Sequence, residues 1–136
     1  MIARIHIARF ALITGISLLT VSCSLTDLYE EQSVPIERFE LLSATQQSVS
    51  FELFGTWRNT CGSVAHFNET KSGNTYTVEM IGKQKQNATC GQAFSEISDT
   101  WSVDPDGAQT LTLRFRAEAS STIDTTIVVP GNAQNF

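Results

Sequence analysis

The stretch VSFELFGTW, residues 49–57, decides how the chain is read. Val49, Phe51, Leu53 and, past Gly55, Trp57 fall on alternate positions, with Ser50 and Glu52 between them. A period of two sends successive side chains to opposite faces of a strand, so the apolar groups share one face and the polar groups the other. The same period recurs downstream. VAHF, 64–67, is a short apolar run, and TYTVEMI, 75–81, sets Tyr76, Val78 and Met80 on one side. TLTLRFRAE, 110–118, sets Leu111, Leu113, Phe115 and Ala117 against Thr112, Arg114 and Arg116. TIDTTIVV, 122–129, gives a last strand before Pro130-Gly131. Turn residues separate these runs at Ser72-Gly73-Asn74 and Asp104-Pro105-Asp106-Gly107. Short strands at close intervals predict an all-β domain, an antiparallel meander closed as a small barrel or folded as a sandwich. Charged residues on the outward positions imply that one side of each sheet is buried. IERFELLSATQQ, 36–47, fits a helical face through Ile36, Phe39 and Leu42, and a strand through Phe39 and Leu41.

The N-terminus reads differently. MIARIHIAR, 1–9, is basic, and Phe10 to Val21 then runs without a charge. A bilayer-spanning helix needs about 20 apolar residues, so a basic start with this shorter run reads as a secretory signal. The run ends in Leu19, Thr20, Val21, Ser22 and Cys23, which resembles the lipobox of bacterial lipoproteins. That resemblance implies acylation at Cys23, which becomes the mature N-terminus and carries a membrane anchor. It also implies residence in the outer membrane facing the periplasm, because Ser24 stands where Asp retains such proteins in the inner membrane. Ordinary cleavage near Ser22 to Ser24, giving a soluble secreted protein, is the alternative. The expected organisation is a signal peptide over 1–22, a lipidated acidic tether over 23–35 and a β domain over 36–136.

Charge and cysteine number narrow the function classes. The 136-residue chain carries nine Lys and Arg against fourteen Asp and Glu, a formal charge of −5. Loss of Arg4 and Arg9 with the signal leaves seven basic residues, hence −7. Such a chain lacks the basic patch that nucleic acid requires, so no nucleic-acid partner is expected. Of three cysteines, Cys23 is assigned to the anchor, which leaves Cys61 and Cys90 to pair in an oxidising compartment. A metal site built from Cys61, His66 and Cys90 is the alternative, disfavoured because one histidine remains and no Cys-x-x-Cys hook exists. No metal and no cofactor are expected.

Catalysis finds little support. Nucleophilic chemistry needs a base beside the nucleophile, and His66 in VAHFNET has no accompanying motif. Glu52, Glu69, Glu79 and Glu96 are candidate acids for glycoside chemistry, yet each sits in a strand-like context that a solvated face explains. The sequons Asn68-Glu69-Thr70 and Asn87-Ala88-Thr89 are read as chance in a chain with a bacterial signal. A non-enzymatic protein is expected.

Gly55-Thr56-Trp57 resembles the Gly-x-Trp of the first strand of lipocalin-like barrels. That resemblance implies a glycine-permitted bend and an indole plugging one barrel end, with Arg114 or Arg116 over it through a cation–π contact. A longer series runs Gly55, Trp57, Cys61, Cys90, Trp101, Pro105-Asp106-Gly107, Leu111, Leu113 and Phe115. It is similar to the inhibitors of bacterial alkaline metalloproteases, periplasmic eight-stranded barrels with one disulfide. Those inhibitors insert a free N-terminal segment into the protease, which an acylated Cys23 does not offer, so the resemblance speaks to fold before activity. Trp101, flanked by Asp99, Ser102 and Asp104, is expected near a barrel mouth as a binding residue. The function expected is a non-catalytic periplasmic binding module, inhibitor-like in build, with a protein partner in the envelope. A structural or envelope-assembly lipoprotein and a small-ligand carrier are the rivals.

Overall fold

A computed structural model describes residues 27–118 and 120–131. The proposed signal and Cys23 lie outside the described residues. Eight strands form: β1 Tyr29–Val34, β2 Ile36–Ala44, β3 Val49–Trp57, β4 Ser63–Ser72, β5 Thr75–Lys85, β6 Ser95–Val103, β7 Thr110–Arg116 and β8 Thr122–Val128. β2, β3 and β6 make one antiparallel sheet, and the other five make the second. The two layers face each other as an open sandwich, so of the two closures allowed by the sequence the sandwich is the one adopted, and the closed lipocalin-like or inhibitor-like barrel is not.

β5 organises the larger sheet. β4 pairs with it from Thr75 to Lys83, β1 from Met80 to Lys85, and β7 from Thr75 to Val78. β4 overlaps both others along β5, and a strand has two edges, so β1 and β7 lie end to end on the edge opposite β4. The β5–β7 pair is parallel, unlike every other pair among the described residues. A simple antiparallel meander is therefore not what forms. Parallel neighbours need a crossover, and the passage through β6 in the other sheet supplies it.

Two further differences from the sequence reading concern the N-terminal part. Residues 29–34, expected in the tether, are strand β1, with Val34 buried and Lys85 Nζ held 2.7 Å from Asp27 Oδ1. The domain thus begins before Pro35, which marks the corner where the chain leaves one sheet for the other. Residues 36–44 are strand β2 with bulges between Ile36 and Arg38 and between Leu41 and Ser43. The bulges break the period of two, which is why this segment fitted a helix as well as a strand.

The alternation elsewhere is realised. Phe51, Leu53 and Trp57 are fully buried, as are Val78, Met80, Leu113 and Phe115. Phe39, Phe51, Tyr76, Trp101 and Phe115 fill the space between the sheets, with ring centroids 4.9–6.3 Å apart. Those separations are in the range where edge-to-face and offset packing of aromatic rings is favourable. Phe54 has the opposite parity and lies on the outer face, where the Arg38 guanidinium stacks 3.5 Å from its ring centroid. The aliphatic and planar parts of Arg38 keep that outward ring from water.

Candidate functional site

The register of β3 with β6, from Val49↔Val103 to Trp57↔Ser95, sets the two ends of the sandwich apart. Trp57 lies at one end and the β6–β7 turn at the other.

At the Trp57 end the indole is clamped between backbones. A Cβ on Gly62 would sit 2.1 Å from the ring, and one on Gly82 would sit 2.4 Å from its far edge. Only glycine permits so close an approach on both sides. Gly55 serves the neighbouring crossing, since a Cβ there would lie 2.6 Å from the Pro35 carbonyl oxygen. Trp57 Nε1 donates to Gln84 Oε1 at 2.9 Å, and Asn59 Nδ2 donates to the same oxygen at 2.8 Å. Asn59 Oδ1 in turn accepts from the Cys61 amide, and its carbonyl from Ser95 Oγ. The disulfide Cys61–Cys90, with Cα atoms 5.5 Å apart, ties this loop to the one preceding β6. The Thr60 amide donates to the Gly91 carbonyl, and the Thr60 hydroxyl accepts from the Gly91 amide, which completes the closure.

The expected partners of Trp57 are corrected here. Arg114 Nε pairs with Asp124 Oδ2 at 3.3 Å on the outer face of the larger sheet, and Arg116 is exposed opposite Thr122. The parity that buries Leu113 and Phe115 directs both arginines away from the core. The cation above Trp57 is Arg58, 5.8 Å from the ring and bonded to Glu30 of β1 at 2.6 Å. Sequence reasoning passed over Arg58, although its adjacency to the tryptophan was the available signal.

The opposite end carries an open cleft of about 370 Å³ lined by Glu69, Lys71, Tyr76, Ser102, Val103, Asp104 and Asp106. It forms where the β4–β5 hairpin meets the start of the β6–β7 turn. Trp101 is 4 % exposed and belongs to the core, so it is not a mouth residue presenting its ring. Of the polar neighbours that suggest exposure, Ser102 and Asp104 have the outward parity, while Asp99 shares the parity of Trp101 and is itself exposed. Trp101 nevertheless reaches the cleft through its Nε1, which donates to Glu69 Oε2 at 3.1 Å. Tyr76 Oη donates to the Asp104 carbonyl at 3.3 Å, and Asp104 Oδ1 accepts from the Asp106 amide at 2.8 Å. Lys71 Nζ lies 3.6 Å from Asp106 Oδ2 and 5.2 Å from the centre of the Tyr76 ring. The Tyr76 side chain, and after it the Asp106 carboxylate, holds the Lys71 ammonium above its usual pKa. The cleft thus presents three carboxylates and one ammonium over an aromatic floor.

The carboxylates singled out as acids are dispersed. Glu52 accepts from Ser98 and Glu96 from Arg38, both on the outer face of the three-stranded sheet. Glu79 accepts from Ser33 on the outer face of the larger sheet, and Glu69 is the one at the cleft. His66 is exposed on β4, and both cysteine sulfurs are committed to each other, which removes the alternative metal set. Among the described residues no three His, Cys, Asp or Glu side chains gather to hold a metal.

The family model of the ORF11 beta-sandwich domain matches residues 51–127, more than half of the chain. The chain belongs to the ORF11 beta-sandwich domain family. No curated protein and no solved structure matches it. The matched part of the ORF11 beta-sandwich domain runs from Phe51 in β3 to Ile127 in β8. It takes in both tryptophans, the disulfide and the cleft, whereas β1 and β2 precede it.

Proposed function

We propose that this ORF11-type sandwich is the non-catalytic binding module of a bacterial envelope lipoprotein, anchored through Cys23 and contacting a protein partner through the cleft at the Glu69–Asp106 end. The observation that carries this reading is the contrast between interior and cleft. The space between the sheets is filled by the aromatic cluster, which argues against an apolar carrier, while the open recess is polar and charged and of a size that takes side chains. Glu69, Asp104 and Asp106 against the single Lys71 favour a basic group on the partner.

The position of β1 supports the anchored arrangement. Tyr29 pairs with Lys85, next to Gln84 and the clamped indole, so β1 begins at the Trp57 end, the end nearest in sequence to the proposed anchor. Ser24 to Leu28 then spans at most about 17 Å when extended. Anchorage therefore leaves the far end, with its cleft, free for a partner.

Photo-cross-linking in living cells tests this. A photoreactive residue at Asp106 should give one discrete protein adduct in the membrane fraction, and the same group at Thr60 should give none. The adduct should be lost in Glu69→Lys, and intact mass should place acyl chains on Cys23. Equal adducts from both ends, or a mature chain starting unmodified near Ser24, would overturn the binding or the anchoring half respectively.

A further inference from the structure

The edges of the two sheets are not alike. β2 carries two bulges and the charges of Glu37, Arg38 and Glu40; β4 carries a bulge between Val64 and His66, with Glu69 and Lys71. β6 carries Glu96 and Asp99, and β1 carries Glu30 and Glu31. Bulges and charges of this kind are how sheet edges are kept from pairing. β8, TIDTTIV, has neither a bulge nor a lysine, and its single acid is neutralised by Arg114. Among the described residues it pairs with β7 alone.

The hydrogen bonds fix which groups it presents. Val129 N donates to Gln109 O, and Ala117 N to Ser121 O, so odd-numbered residues of β8 bond inward to β7. In an antiparallel ladder the alternate residues then turn their N–H and C=O outward: Thr122, Asp124, Thr126 and Val128.

The geometry points to a second copy of this chain as the occupant, with β8 pairing antiparallel to β8 across a two-fold axis at Thr125. In that register Thr122 meets Val128 and Asp124 meets Thr126, and each pair exchanges two backbone bonds. Ile123 faces Ile127 on the inner side, and Thr125 faces itself. A shift of one residue would put the core face of one copy beside the solvent face of the other. Centring on Asp124 would set the two aspartates opposite each other. Among the registers free of both faults, the one centred on Thr125 pairs all seven residues. A chain of charge −5 repels its own copies, and on β8 the one acid, Asp124, is paired with Arg114, so this edge adds little to that repulsion.

Neighbouring apolar groups enlarge the contact. Phe39 of β2 lies 4.9 Å from the Phe115 ring, and Gln46 Nε2 donates to the Pro130 carbonyl, so β2 runs along the same side of the sandwich as β8. Leu41, Leu42 and Val128 are 49 %, 52 % and 73 % exposed there. A seven-residue edge alone falls short of the roughly 800 Å² per partner of a stable interface. These side chains add to it, and confinement of both copies to one membrane would raise their effective concentration. The pairing rests on the edge geometry of β8 and does not depend on anchoring.

Cysteine cross-linking in the envelope, read on non-reducing gels, tests the register. Thr125→Cys places two sulfurs across a non-hydrogen-bonded pair and should give a disulfide dimer; Thr126→Cys should give at least about tenfold less. Thr126→Pro removes an outward N–H that the monomer does not use. Added to Thr125→Cys it should lower the dimer about tenfold while the Cys61–Cys90 bond and protease resistance are kept. No dimer from Thr125→Cys, equal dimer from Thr126→Cys, or a dimer indifferent to Thr126→Pro would each overturn the proposal.

Discussion

The two tryptophans are both core residues, yet they sit in opposite kinds of ends. Trp57 is held between Gly62 and Gly82, with a disulfide next door and a glutamine that takes its N–H. Trp101 is held among side chains, Phe51, Tyr76 and Phe115, and spends its N–H on a cleft carboxylate. One end is closed by backbone and covalent bond, the other by ring packing beneath an open recess. The difference separates a part of the fold that fixes the structure from a part that is able to meet something else.

The largest test of this contrast removes each indole. Trp57→Ala and Trp101→Ala should each cost about 3–5 kcal/mol in denaturant melts, since both are essentially buried. The milder Trp101→Phe, which keeps a ring but loses the bond to Glu69, should cost roughly 1 kcal/mol and still impair the adduct at Asp106. Trp57→Phe should leave that adduct intact in whatever fraction stays folded. A cross-linking loss of the same size from both would erase the distinction between the ends.

Next in size is the staple. Cys61 and Cys90 are 29 residues apart, and loop-closure entropy puts the loss in the Cys61→Ser/Cys90→Ser variant at about 3–4 kcal/mol. Amide exchange should quicken in 58–62 and 86–91 and change least around Glu69, Tyr76 and Asp106. Uniform quickening would mean that the two ends open as one unit.

The smallest effect concerns pH at the cleft. Because the Lys71 pKa is raised in the folded protein, the interaction is fully present below the ordinary lysine value and is lost as pH rises through the folded one. Lys71 is exposed at the rim of the cleft, so solvent screening keeps the effect slight. The melting temperature should therefore be flat from pH 7 to about 9.5 and dip slightly more in the native chain than in Lys71→Met above that. A larger alkaline dip in Lys71→Met would refute the assignment.

What was legible in the sequence follows from how local each signal is. The strand character of 49–57, 75–81 and 110–116, the burial of Trp57 and the pairing of Cys61 with Cys90 rest on period and count. β1 was hidden because YEEQSV buries one apolar residue, Val34, and otherwise reads as a polar tether. The parallel β5–β7 pair was hidden because nothing in either strand states its neighbour. The polar residues flanking Trp101 point to a mouth, yet its own parity, shared with the buried Val103, sets its ring in the core. The cleft joins β4, β5 and β6, so it exists only once the sheets have met.

The shared edge of β5 has a consequence for assembly in time. β1 is the first of the described strands to be synthesised, and its partner residues, 80–85, come some fifty positions later. Until they arrive, YEEQSV has no ladder to join. The parallel strand β7 then takes the remaining length of the same edge later still. Such non-local pairing belongs to the slow class of folding, milliseconds to seconds, so the sandwich forms as a late, nearly concerted event once most of the chain is available.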